Sequence, residues 1–210
     1  WKSIDMDTLC LFFANPTRFF LERRLGIFLD KQAAVFEDRE NFELNSLQKY
    51  QIEQNLINSK LSGMDLQDFR PIQRALGQLP PGPVGDCLYN EMGMDVEKFV
   101  NQIKNYTHGK ISDGLDVDYE ISGFHLSGRL TDIYEHGYIQ LRYANRRARD
   151  LLKSWIYHLI YCDLKPENWP AESFLICKDS TLKFSYTSKT REILETILQV
   201  FWQGLTKTIH

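Results

Sequence analysis

Long hydrophobic runs are missing from this sequence. Its 210 residues hold no apolar stretch of about 20, the length a membrane-spanning helix needs. Cysteine is scarce and scattered. Cys10, Cys87, Cys162 and Cys177 stand far apart and form no CxxC pair. A structural zinc site is built on close pairs, and a nuclease-type iron–sulfur cluster needs a close triplet, so neither fits. These four are expected as structural thiols in a reducing compartment. No charge sign dominates: 25 Lys and Arg face 28 Asp and Glu, a net charge of −3, which argues against a histone-like nucleic-acid coat but leaves room for a local basic patch. His108, His125, His136, His158 and His210 show no HExxH spacing, so no metal site is expected. Without GxSxG or a P-loop, neither a hydrolase elbow nor an ATP site has support, and no cofactor is expected.

What is present is ordinary for a folded domain. Hydrophobic residues make up 43% and aromatics 13%, enough surface to bury a core and to exclude long-range disorder. The chain opens Trp1-Lys2-Ser3 without methionine and closes on the apolar Phe201-Trp202-Gln203-Gly204-Leu205. Both features are those of a piece cut from a longer protein, and the last helix is the best candidate for an exposed apolar surface. There is no internal repeat.

Residues 1–108 read as a helical region. A helix is expected from Ile4 to Phe13, a restart after Asn15-Pro16, and a stop at Gly26. Leu9, Phe12, Phe13, Phe19 and Phe20 read as core. A further helix follows Phe42-Glu43-Leu44-Asn45-Ser46, with Leu47, Tyr50 and Leu56 on similar faces. Asp65 caps the next. Leu79-Pro80-Pro81-Gly82-Pro83-Val84-Gly85 is the sharpest break, holding three of the seven prolines. After it, Asp86 is expected as a cap, Gly93 as a divider and Asp95 as the next cap.

Residues 109–210 read as an α/β core. Leu115, Val117 and Tyr119 alternate with Asp116, Asp118 and Glu120 as a strand, Phe124–Tyr134 follows, and Glu135-His136-Gly137 turns into Tyr138–Tyr143. Ala148, Leu151, Leu152, Trp155, Ile156 and Leu159 then mark an amphipathic helix. A strand pair turns near Asp179-Ser180 before a final helix from Arg191. The expected fold class is α/β, a mixed sheet flanked by helices, with the helical region and core forming one compact domain.

The motifs share their order with a known family. Phe12-Phe13-Ala14-Asn15-Pro16-Thr17-Arg18-Phe19-Phe20, Phe42-Glu43-Leu44 with Leu47 and Tyr50, the L-P-x-G-x-x-G of residues 79–85, and Trp155-Ile156-Tyr157-His158-Leu159 span most of the chain. Together they resemble the C-terminal domain of the exodeoxyribonuclease V gamma subunit, RecC. The resemblance implies a restriction-endonuclease-like, PD-(D/E)XK fold in a cytoplasmic helicase–nuclease that processes double-strand DNA breaks. It implies partner beta (helicase–nuclease) and alpha (helicase) subunits, duplex or forked DNA, and no membrane. Active relatives place an aspartate three residues after a glycine and D-x-K on the next strand. Counted from Gly128, the corresponding positions here are Thr131 and Gln140-Leu141-Arg142. Strand alternation is expected to turn Asp132 to the opposite face.

Neutral threonine and glutamine do not offset a divalent charge, and an arginine adds a fixed cation. The domain is therefore expected to be non-catalytic and to hold no metal, supporting subunit assembly and strand guidance. An active metal-dependent nuclease, relying on Asp132 or Glu120, and a purely protein-docking module are the alternatives. Arg142, Arg146, Arg147 and Arg149 cluster where a strand meets a helix, with Tyr143 between them. They are candidates for phosphate contact, or else for salt bridges and subunit contact. His158 reads as a structural histidine.

Overall fold

Local chemistry sets most helix starts. In the computed structural model, which describes residues 2–28 and 44–205, Asp5 caps α1 (Met6–Ala14) by accepting from the amides of Asp7 and Thr8. Asn15 caps α2 (Pro16–Arg24), whose first residue is proline, and Gly26 ends it at a φ of 65°. Asn45 and Gln48 form a reciprocal capping box on α3 (Ser46–Leu61). Asp65 caps α4 (Leu66–Ala75).

The proline-rich break is shorter than expected. Helix α5 (Gly82–Lys104) begins inside it, because Pro83 occupies the first turn, where the missing N–H costs nothing. It then runs through Asp86, Gly93 and Asp95 without dividing. A Cβ at Gly85 would fall 2.0 Å from the Pro80 carbonyl oxygen, so the chain folds back on itself only with glycine there. On α3 the buried side chains are Ile52, Glu53, Leu56, Ile57 and Ser59, whereas Leu47 and Tyr50 are exposed. The shared face expected for Leu47, Tyr50 and Leu56 does not form.

Strands β1 (Ser3–Asp5) and β2 (Lys110–Ser112) were not legible in the sequence. Each is three residues long and exists through pairing with distant chain. Strands β3 (Leu115–Ile121) and β4 (Phe124–Leu130) form a hairpin closed by Ser122 and Gly123, both at positive φ, the geometry of a tight two-residue turn. With β1 parallel to β4, they make a three-stranded sheet, ordered β1-β4-β3. The strand expected over Phe124–Tyr134 is broken at Asp132, whose φ is 65°. Its second part, β5 (Ile133–Tyr134), belongs to another sheet, ordered β2-β5-β6-β7-β8. There β6 (Gly137–Arg142) lies parallel to β7 (Ser173–Cys177), joined through α6 (Ala148–Leu164), and β8 (Thr181–Phe184) closes the edge. Two sheets thus replace the single mixed sheet expected. Helix α7 (Thr190–Gly204) follows.

Residues 2–28 and 106–205 form one compact unit and residues 44–105 a second. The apolar faces of α1 and α2 are buried with the strands: Leu9, Phe12 and Phe19 share a core with Leu126, Ile160, Leu198 and Phe201. Phe12 meets Phe13, Phe19 and Phe201 edge to face at 5.0–5.6 Å. Helix α7 buries Leu194, Leu198 and Phe201 in this core, so most of the apolar surface expected to be exposed there is covered. Trp1, Phe42, Glu43 and His210 lie outside the described residues.

Candidate functional site

Strand β6 carries Gln140 and Arg142, two of the three positions expected to replace nuclease carboxylates and lysine. The Ser154 hydroxyl on α6 donates to Gln140 Oε1 at 3.0 Å, and Gln140 Nε2 donates to the Ser154 carbonyl at 3.4 Å. Two residues on, Arg142 Nε lies 2.7 Å from Asp150 Oδ2. Both atoms are out of reach of solvent, and the N–H does not aim at the oxygen, so the contact is a close ion pair rather than an aligned hydrogen bond. Asp150 and Ser154 are one helical turn apart on α6, which is why residues two apart on the strand reach them.

Thr131 completes the set. The Ile139 amide donates to the Asp132 carbonyl at 3.0 Å, which carries the β5–β6 register one step past its ladder. Thr131 precedes β5, outside any strand, and is exposed. Asp132 does not turn away as alternation predicts: the Thr131 hydroxyl donates to its carboxylate at 2.9 Å. The left-handed backbone at Asp132 ends the strand and cancels the alternation.

These residues do not fit a divalent cation. Thr131 and Gln140 bring no charge, the Gln140 amide is occupied by α6, and Arg142 places a cation among them. Among the described residues, no group of three or more His, Cys, Asp or Glu side chains could hold a metal ion.

The loop from β6 to α6 separates the four arginines by role. Arg142 is paired and partly buried, whereas Arg146, Arg147 and Arg149 are exposed. Arg149 approaches Asp150 only to 3.8 Å. Several bonds hold the loop itself. The Lys178 amide donates to the Ala144 carbonyl at 3.2 Å, and the Arg146 amide donates to Asp179 Oδ1 at 3.0 Å. That second bond holds the Asp179 carboxyl below its usual range. The Lys178 ammonium lies over the Tyr143 ring, 4.9 Å from its centre. Arg147 is the N-cap of α6 and makes no side-chain cap bond; its carbonyl accepts from Asp150 and Leu151. The result is a braced loop presenting three guanidinium groups to solvent.

The profile of the RecC C-terminal domain matches residues 1–210. The chain belongs to the RecC C-terminal domain family. It is 24% identical to the RecBCD enzyme subunit RecC of Escherichia coli strain K12 over 161 residues, covering 77% of this chain and 14% of that protein. The RecC subunit of Haemophilus influenzae is 26% identical over 207 residues, covering 95% and 18%. That of Buchnera aphidicola subsp. Schizaphis graminum is 29% identical over 164 residues, covering 77% and 15%. The chain thus spans less than a fifth of the length of these RecC relatives.

His158, Lys153 and Tyr157 of α6 make their contacts within the fold. His158 is 1% exposed. Its Nε2–H donates to the Ser185 carbonyl at 3.1 Å, which leaves Nδ1 to accept from the Ser173 hydroxyl at 2.8 Å. Burial lowers its pKa and keeps the ring neutral. On the opposite side, Lys153 and Tyr157 both donate to Asp7 of α1, and these bonds hold the Asp7 carboxyl below its ordinary value, the lysine contact foremost. Asp7, Asp150, Ser154 and Asp179 were missed in the sequence. Of these, only Asp150 left a signal, an acid in the first turn of a helix that follows a basic run.

Proposed function

We propose that this chain is a non-catalytic, PD-(D/E)XK-like domain of a RecBCD-type helicase–nuclease, supporting subunit assembly and guiding DNA strands during double-strand-break repair. Its partners are the beta and alpha subunits of that complex, and it meets duplex or forked DNA through phosphate contacts from Arg146, Arg147 and Arg149. The fold reading is supported by a strand hairpin, a parallel β6–β7 pair joined through α6, and helices on the sheets. The single observation that carries the functional reading is the braced arginine loop beside core positions that hold Thr131, Gln140 and Arg142 in place of carboxylates and lysine.

The test is forked-duplex binding by the assembled complex, measured by anisotropy over a range of salt. Each phosphate contact contributes about 0.9 to the slope of log K against log salt. Replacing all three exposed arginines by alanine is expected to reduce that slope by about 2–3 and to weaken binding at low salt. Unchanged affinity and slope would move the loop to protein docking. Magnesium- or manganese-dependent cleavage lost on Asp132→Ala or Glu120→Ala would instead establish an active nuclease. No helix among the described residues is long and apolar enough to cross a membrane.

A further inference from the structure

We infer that Arg142 is a positioning residue rather than a phosphate contact: its ion pair with Asp150 is a strut that fixes the loop carrying Arg146, Arg147 and Arg149. This inference rests on the phosphate-contact reading above and assigns distinct roles within it.

Placement comes first. Arg142 is the last residue of β6, and Asp150 lies in the first turn of α6. Their contact closes the loop between them from its base. Its outer side is held independently, by Lys178 on Ala144 and by Asp179 on the Arg146 amide. Burial comes second. Arg142 Nε and Asp150 Oδ2 lie 2.7 Å apart, shielded from water, so removing either partner leaves a shielded charge without its counterpart. The helix start comes third. Its N-cap, Arg147, supplies no side-chain bond, and Asp150 is the acidic residue in the first turn of α6, where a negative charge suits the helix dipole. The Nε that Arg142 turns to Asp150 is withdrawn from the forked contact that arginine makes with phosphate.

The inference makes a prediction whose sign differs from simple electrostatics. Asp150→Asn removes a negative charge beside three arginines and frees Arg142. Within a Debye length of about 10 Å at 0.1 M salt, that change alone strengthens phosphate binding. A strut predicts the reverse, because the arginines lose their fixed geometry.

The experiment uses the full-length protein in its assembled complex, with a labelled forked duplex as probe. Asp150→Asn is expected to weaken binding about three- to tenfold at low salt. Hydrogen exchange at the Asp150, Leu151 and Leu152 amides, corrected for intrinsic rates, is expected to accelerate in both Asp150→Asn and Arg142→Gln. The double variant is expected to be no faster than either single one, since both break the same contact. Equal or tighter binding by Asp150→Asn overturns the inference, and so does unchanged exchange. Failure of the underlying reading shows in a different variant: the triple alanine replacement of the exposed arginines would then bind as wild type.

Discussion

Replacing His158 by alanine removes a side chain that ties α6 to both β7 and the segment after β8. Its ring is buried, donates to the Ser185 carbonyl, accepts from the Ser173 hydroxyl and stands 5.7 Å from the Phe184 ring. Truncation leaves two polar groups without partners and a void the size of an imidazole. Orphaned groups cost about 1–3 kcal/mol and the cavity adds a similar amount, giving a loss of about 3–5 kcal/mol. All four tryptophans lie outside residues 44–105, so tryptophan fluorescence in a urea titration reports only the unit that holds His158. The pH dependence supplies a second reading. Because burial lowers the folded pKa, the unfolded chain binds a proton first as pH falls below about 6.5. Stability is therefore full above that pH and declines between it and the lower folded value, by at most about 1.4 kcal/mol per pH unit. His158→Asn removes this decline. A loss under about 1 kcal/mol in His158→Ala, or an unchanged pH slope in His158→Asn, refutes the structural role.

Gly85→Ala forces the helix start of α5 away from the Pro80 carbonyl and is expected to destabilise residues 44–105 by about 2–4 kcal/mol, read as faster hydrogen exchange in α5 while tryptophan fluorescence stays unchanged. Asp7→Asn weakens the tie between α1 and α6. The carboxylate is well exposed, so the expected loss near neutral pH is only about 0.5–1 kcal/mol, and the difference from wild type disappears as acid protonates Asp7 below its ordinary pKa. Thiol labelling at pH 8 is expected to modify exposed Cys87 within the mixing time. Cys10, pushed up to about 12 by burial, and Cys162, pushed up to about 11, are expected to react only as the fold opens.

Helix α6 is readable from its apolar spacing, α2 and α4 from their caps, and the β5–β6 hairpin from its Glu135-His136-Gly137 turn, because each depends on neighbours within a few residues. The two short strands are not, since Ser3–Asp5 becomes a strand only by lying beside His125–Ser127. Helix α5 was read as two pieces because glycine and aspartate resemble boundaries locally. Tertiary packing overrides that preference: Gly93 is buried, 3.7 Å from Leu66 on α4 when given a Cβ. The family resemblance points to Thr131, counted from Gly128, and to Gln140 and Arg142 on the strand that follows, but not to the side chains they meet. Nothing in the linear order pairs Gln140 with Ser154, or marks Arg142 as different from Arg146. The Asp132 expectation failed for a related reason, because alternation presumes an extended backbone and a left-handed residue interrupts it.

The meeting of α1 with α7 has a consequence for biosynthesis. Phe12 packs on Phe201, and the Arg24 guanidinium donates to the Leu205 carbonyl. At ribosomal speeds, the early helices wait roughly 10–40 s for the last one to emerge. Residues 44–105 have their own local contacts and can close during that interval. Until then Leu9, Phe12 and Phe19 lack the Leu198 and Phe201 side of their core, which makes the α1–α2 segment a natural client for a chaperone on the ribosome.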